Sequence, residues 1–347
     1  MRAAYHKYIL NFKTPSGTSR GVMTTKETWI IVIEQGTKKG IGECGILRGL
    51  SVDDRPDYEA KLRWVCQNIE SGLTELLAAT KEFPSIQFGI ETAFASLESS
   101  TGFDLFPSDF TSGKAAIPIN GLIWMGDPDF MKSQIEEKLA QGFDCIKMKI
   151  GAIDFEEEFK LLASIRSTFS ATDIELRVDA NGAFSATDAL AKLKRLATID
   201  LHSIEQPIRQ GQLKAMADLC KQTPLPIALD EELIGVFDVT EKEKLLLTIQ
   251  PQFIILKPSL VGGFSGTKEW IQLAEQLGIG WWITSALESN IGLNAIAQFT
   301  YTFNNPMPQG LGTGGLYTNN FKAPLVVNNG ELNYNPEIEW TINFITK

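Results

Sequence analysis

Five apolar runs between residues 145 and 257 each end in charge, and they follow one another at nearly even intervals. They are Cys-Ile-Lys-Met-Lys-Ile with Lys147 and Lys149, Leu-Arg-Val-Asp-Ala-Asn with Asp179, Ser-Ile-Glu-Gln-Pro with Glu205, Ile-Ala-Leu-Asp-Glu-Glu with Asp230, and Ile-Ile-Leu-Lys-Pro with Lys257. Counted from Lys149, the steps are 30, 26, 25 and 27 residues, and each interval holds an amphipathic segment long enough for one helix. That is the period of a strand-helix unit. Parallel strands that carry charge only at their C-terminal ends are what a (β/α) barrel requires, because its body is packed with apolar side chains and its chemistry sits on that rim.

At 347 residues the chain exceeds the roughly 250 of a plain barrel, so a second, smaller unit is expected. The first hundred or so residues do not keep the period. Tyr8-Ile-Leu-Asn-Phe, Glu27-Thr-Trp-Ile-Ile-Val-Ile-Glu and Lys39-Gly-Ile-Gly-Glu-Cys read as antiparallel strands, with a polar loop over residues 14–21 and a turn at Gly36 to Lys38. From residue 58 to 97 the pattern turns helical. These features predict an α+β cap over residues 1–115, joined by the tail 321–347, and a barrel over residues 116–320 that begins at Ala116-Ile-Pro-Ile-Asn-Gly. Within the barrel, Ser185 to Asp188 reads as a capping box. A helix over residues 267–277 places Trp270, Leu273, Ala274 and Leu277 on one face and stops at Gly278. Trp281-Trp-Ile-Thr and Pro308-Gln-Gly-Leu-Gly-Thr-Gly read as the last two strands.

Composition narrows the function. An apolar content of 44% supplies a large core, and no run of about 18 apolar residues suggests a membrane span. The N-terminal residues lack the continuous apolar core of a signal peptide, and four cysteines stand without metal or disulfide spacing, so a reduced, cytoplasmic setting is expected. A net charge of -10 argues against nucleic acid as a partner. The partner expected is a small carboxylate, with no membrane, and a homo-oligomer is compatible with this reading.

Asp179, Glu205 and Asp230 fall on three consecutive strands and converge at one height. Three carboxylates so close repel one another unless a cation lies between them, and an all-oxygen set suits Mg²⁺, with Mn²⁺ as a substitute. Each acid could instead cap the helix after its strand. Lys147 and Lys149 share one face of their strand by the two-residue alternation, and Lys257 lies across the mouth. A lysine desolvated beside a cation can serve as a general base near neutral pH. The bland alternative is three lysines that pair with the acids.

This pattern resembles the enolase superfamily, whose use of a Lys or His base with Mg²⁺ is one of the standard cases of pKa tuning. The likeness covers the mixed cap, a modified (β/α)7β TIM-type barrel, Lys-x-Lys on the second strand, three acids on the next three, and Lys on the sixth. Lys257 at that last position places it near the muconate-lactonizing branch. His6 and His202 are the chain's only histidines, and neither falls at a rim position that a His-Asp dyad would need. Within the branch, the chain is most similar to the o-succinylbenzoate synthases. The words that carry this are Phe12-Lys-Thr-Pro-Ser-Gly-Thr-Ser-Arg-Gly, Lys257-Pro-Ser-Leu-Val-Gly-Gly, Ser285-Ala-Leu-Glu-Ser-Asn-Ile-Gly and Gly310-Leu-Gly-Thr-Gly-Gly. The dipeptide epimerases' Asp-x-Asp pair is missing from the Ser285 word.

The resemblance implies a Mg²⁺-dependent syn-dehydration of 2-succinyl-6-hydroxy-2,4-cyclohexadiene-1-carboxylate to 2-succinylbenzoate, through an ene-diolate, in menaquinone biosynthesis. It implies Lys149 as the base, Lys257 as the cation on the opposite face and Lys147 as the residue that orients the carboxylate. Asn181 and Gln206 are expected to support the metal ligands. Arg20 in a lid loop, Ser285 and the amides of Gly262 and Gly263 are expected substrate contacts, though those glycines read equally well as turn residues. The alternative is an N-succinylamino acid racemase, or another racemase or cycloisomerase of the branch. Outside this class stand a non-catalytic metal-stabilised barrel, which has no need of three facing lysines, and a phosphate-binding barrel that uses residues 310–315 as an anion cradle.

Overall fold

The computed structural model describes residues 1–18 and 21–342. An antiparallel sheet in the order β1 (Arg2–Thr18), β2 (Gly21–Gln35), β3 (Lys38–Gly45) opens the chain. Helices α1 (Tyr58–Gln67), α2 (Leu73–Ala79) and α3 (Pro84–Glu98) follow. Trp29 to Ile33 are buried without a break because both faces of β2 are covered. Trp29, Ile31 and Ile33 pack with Leu62, Val65 and Ile90 of the helices, while Ile30 and Val32 pack with Ile41, Ile291 and Phe321. Helix α3 lies in direct backbone contact with β3. A Cβ on Gly42 would come within 1.9 Å of the Gly89 carbonyl oxygen, so glycine there is a packing requirement.

Within the polar loop expected over residues 14–21, residues 14–18 and Gly21 belong to the strands of a long hairpin. Pairing continues through Ser16↔Met23, Gly17↔Val22 and Thr18↔Gly21, after a register shift between Asn11 and Ser16. Gly17 also bridges Met125, which seats the hairpin on the barrel mouth.

Residues 116–118 do not start the barrel. They form β4 (Ala116–Pro118), which pairs antiparallel with a strand of the C-terminal hairpin, Ile117↔Leu332. The first barrel strand is β5 (Gly121–Ile123), followed by α4 (Pro128–Ala140), β6 (Cys145–Lys149), α5 (Phe155–Thr168), β7 (Glu175–Asp179), α6 (Ala189–Leu196), β8 (Ser203–Glu205) and α7 (Leu213–Gln222). Then come β9 (Ile227–Leu229), α8 (Val239–Ile249), β10 (Phe253–Leu256), α9 (Pro258–Val261), α10 (Gly263–Gln276), β11 (Gly280–Ile283) and α11 (Asn290–Tyr301). Strands β5 to β11 lie in sequence order, and their pairings are parallel. Gln309 and Gly310 close the ring as its eighth member, through the parallel bridges Ile119↔Gln309 and Thr284↔Gly310. The chain is therefore a (β/α)7β barrel with an α+β cap, as the strand period and the resemblance implied.

The tail divides between two places. Strands β12 (Leu325–Asn328) and β13 (Glu331–Tyr334) form a three-stranded sheet with β4, while Trp340 stacks on Phe103 at 4.2 Å. Ser185 Oγ accepts the Asp188 amide at 3.2 Å, the bond of the expected capping box, in the turn that leads into α6, whereas Leu277, just past α10, is exposed because the helix has already ended. No helix among the described residues is long and apolar enough to cross a membrane.

Candidate active site

The strand register brings the charges together. Lys149 of β6 pairs with Asp179 of β7, and Asp179 with Glu205 of β8. Asp230 and Lys257 directly follow the next two strands, β9 and β10. Lys147 Nζ donates to Glu205 Oε2 at 2.7 Å and lies 3.6 Å from Asp179 Oδ2. Lys149 Nζ donates to Asp179 Oδ2 at 2.8 Å and to Asn181 Oδ1 at 2.7 Å. Lys257 Nζ donates to Asp230 Oδ2 and stands 3.8 Å from Glu205 Oε1. All three acids are buried.

Burial and mutual charge push these groups apart. Burial would raise the Asp179 carboxyl, but Lys149, Lys147 and Lys257 together hold it well below the usual range. Glu205 is pushed up to about 7, first by burial and then by Asp179, against the pull of Lys147 and Lys257. Burial also raises Asp230, which Lys257 opposes. Desolvation would lower Lys257, yet Asp230 and Glu205 outweigh it and keep the ammonium well above its ordinary value.

The donor set fits a hard divalent cation in kind. Glu205 Oε1 is buried without a hydrogen-bond partner, and such an oxygen is costly unless something positive meets it. The carboxylates are not drawn around a single point, and no group of three or more acidic, His or Cys side chains among the described residues is gathered as a metal centre. The lysine ammonium groups stand between the acids instead.

Asn181 and Gln206 hold the strand ends in place. Each adopts a left-handed backbone, φ 43° and 39°, directly after or close to an acid. Asn181 Nδ2 donates to Glu231 Oε1 at 3.1 Å. Gln206 Oε1 accepts from the Asp230 and Glu232 amides, and its Nε2 donates to the Ile208 carbonyl and to Glu232. Sequence reasoning missed Glu231, which is buried beside the cluster. Strand alternation would turn it away from Asp230, but a 3-10 turn over Glu231–Leu233 starts there and turns it inward. The doublet after Asp230 was the available signal.

These groups open onto a cavity of about 700 Å³ between barrel and cap, walled by Lys147, Lys149, Asp179, Asn181 and Lys257 below and by the β1–β2 hairpin above. Ser285 lines it, with its hydroxyl 2.8 Å from that of Thr313. Gly262 and Gly263 do not. Both have positive φ at the start of α10, and a Cβ on Gly263 would come within 2.1 Å of Glu91 of the cap, so they are turn residues in a helix-helix contact. Arg20 lies outside the described residues. His202 sits at the opposite end of β8 from Glu205, against Phe253 and Trp282.

Comparison with known proteins agrees with this geometry. Residues 131–337 match the family model described as enolase C-terminal domain-like, and residues 1–97 match the MenC N-terminal domain. An o-succinylbenzoate synthase from Desulfotalea psychrophila is 47% identical over 96% of this chain and 98% of that protein. The crystal structure of MenC from the same organism superposes with a TM-score of 0.86 at 44% identity, covering 96% of this chain and 99% of that one. The dipeptide epimerase from Enterococcus faecalis, solved with Mg and a dipeptide, shares the fold at a TM-score of 0.82 and 20% identity, with 96% of each chain covered.

Proposed function

The chain belongs to the o-succinylbenzoate synthase family of the enolase superfamily, and from that premise we propose how its residues carry the family's reaction. The activity is that of a hydro-lyase: water leaves 2-succinyl-6-hydroxy-2,4-cyclohexadiene-1-carboxylate and 2-succinylbenzoate remains, a step of menaquinone biosynthesis. The observation that carries the assignment of roles is the ring of charge at one barrel end, with Lys149 on one side and Lys257 on the other.

Asp179, Glu205 and Asp230 are the residues that would hold Mg²⁺, or Mn²⁺ in its place. When bound, the cation supplies Lewis-acid stabilisation for the charge that develops on the substrate's ring carboxylate. Lys149 Nζ removes the proton from the ring carbon beside that carboxylate and returns it to the departing hydroxide on the same face. Its two acceptors, Asp179 Oδ2 and Asn181 Oδ1, aim it. Lys257 stays charged, since Asp230 and Glu205 hold its proton, and it steadies the anionic intermediate by Coulomb attraction and by its cation over the ring that becomes aromatic. Lys147, bridging Glu205 and Asp179, orients the carboxylate.

The segment over residues 14–21 serves as the lid that excludes water, with Arg20 and Ser285 as contacts to the substrate. Gln206 fixes the loop after β9 and so the direction of Asp230. The cap comprises residues 1–115 with Trp340 of the tail against it, the barrel runs from β5 through residue 320, and the enzyme works in the cytoplasm. Purified protein with Mg²⁺ and the cyclohexadiene acid should generate the ultraviolet absorbance of an aromatic product. Absence of that signal, with racemisation of N-succinylamino acids in its place, would favour the racemase reading.

A further inference from the structure

Lys26 differs from the other lysines around the cavity. It lies on β2 opposite Leu10, on the strand face shared with Thr28 and Ile30. Only 4% of it is exposed, yet it contributes to the cavity wall. Its Nζ is buried and has no hydrogen-bond partner among the described residues. The three barrel lysines are each held by acids, and Arg48, on the same cap wall, is held by Glu27 and Asp54.

The surroundings explain how the charge is accommodated but not what it serves. Lys26 Nζ lies over Gly45, so close that a Cβ there would be 2.8 Å from it and 3.7 Å from Glu43 Oε1. Glu43 is already saturated, accepting from Thr28 Oγ1, the Ser289 amide and hydroxyl, and the Gly292 amide. A buried ammonium without an acceptor is costly, and a cavity-wall position is where a visiting anion would supply one. Leu10, the cross-strand neighbour of Lys26, packs with Leu287 beside Ser285, so the cation belongs to the same side of the cavity as the Ser285 and Thr313 hydroxyls.

We propose that Lys26 is the cationic subsite for the second, distal carboxylate of the substrate, the one at the end of the succinyl chain. This rests on the dehydration reading above. The barrel lysines engage one end of a dianion and the cap engages the other, so ligand binding itself would draw cap and barrel together. A lysine kept only as a distant countercharge to Glu43 would make no distinction between ligands with and without that carboxylate.

Calorimetry can separate the two roles, with 2-succinylbenzoate and 2-butyrylbenzoate, in which a methyl group replaces the distal carboxylate, as probes. Wild type should favour the succinyl ligand by roughly 100-fold, the scale expected for a desolvated charge pair. In Lys26→Met the two ligands should bind within about threefold of each other, and Lys26→Arg, which keeps the charge and guards against a folding defect, should retain part of the preference. A Lys26→Met protein that keeps the wild-type preference, or weakens both ligands equally, overturns the subsite while active wild type leaves the dehydration reading intact. Wild-type protein that neither dehydrates the cyclohexadiene acid nor binds 2-succinylbenzoate overturns both.

Discussion

Glu43 on a cap strand caps Ser289 at the start of the last barrel helix: Oε1 accepts the Ser289 amide at 2.9 Å and Oε2 accepts its hydroxyl at 2.5 Å. Glu91 does the same for α10, accepting from the Phe264 and Ser265 amides and the Ser265 hydroxyl. Two barrel helices thus begin on carboxylates supplied by the cap, which satisfies their free amides and complements their dipoles. Cap position and barrel integrity are coupled by these bonds.

Glu43→Ala should therefore destabilise the whole protein, since it leaves buried donors at Thr28, Ser289 and Gly292 unmet. A loss of about 3 kcal/mol is expected. Thermal and urea unfolding would measure it, and wild-type stability in the variant would show that the cap-barrel contact is not held by this carboxylate.

Glu205→Gln removes one ligand charge and turns one of the two buried carboxylate oxygens into an amide NH2, which cannot ligate a cation. Calorimetric titration should find Mg²⁺ bound roughly 10- to 100-fold more weakly. Unchanged affinity would take Glu205 out of the metal set.

Lys149→Ala should abolish dehydration, while Lys257→Arg, which keeps a cation on the opposite face, should keep a part of it. Racemisation of an N-succinylamino acid needs a proton carrier on each face, so deuterium exchange of the two enantiomers should fail in one variant each. A Lys149→Ala enzyme that dehydrates efficiently would place the base elsewhere.

Asp53 gives a pH dependence away from the site. Its carboxylate accepts from the amide and hydroxyl of Ser85 in the first turn of α3, and burial, opposed by those bonds, pushes it up to about 6. Because the folded value exceeds the unfolded one, the group's stabilising contribution is complete below about pH 4 and is lost as pH rises through about 6. Asp53→Asn should therefore gain on wild type by on the order of 2 kcal/mol between pH 4 and pH 7.5, measured by urea unfolding across that range. A constant difference across the range would contradict the buried, raised carboxyl.

The sequence by itself determined the barrel, its strand period and the positions of Lys147, Lys149, Asp179, Glu205, Asp230 and Lys257. Each of these charges ends an apolar run, and a strand that must bury its body can place charge only there. What the tertiary structure decided depends on contacts distant in the chain. Ala116 to Pro118 read as a barrel strand until the C-terminal hairpin, more than 200 residues away, pairs with it. Glu231 enters the site because a 3-10 turn cancels the alternation. Gly262 and Gly263 are claimed by the cap helix rather than by the cavity, since Gln87 stands against the first and Glu91 and Phe88 against the second. Lys26 sits in a polar stretch of β2, and it is the folding of the cap sheet that buries its charge over Gly45 of β3, in the wall of the cavity. Periodicity reports which residues share a face; which surface covers that face is decided by packing between units that the local pattern does not encode.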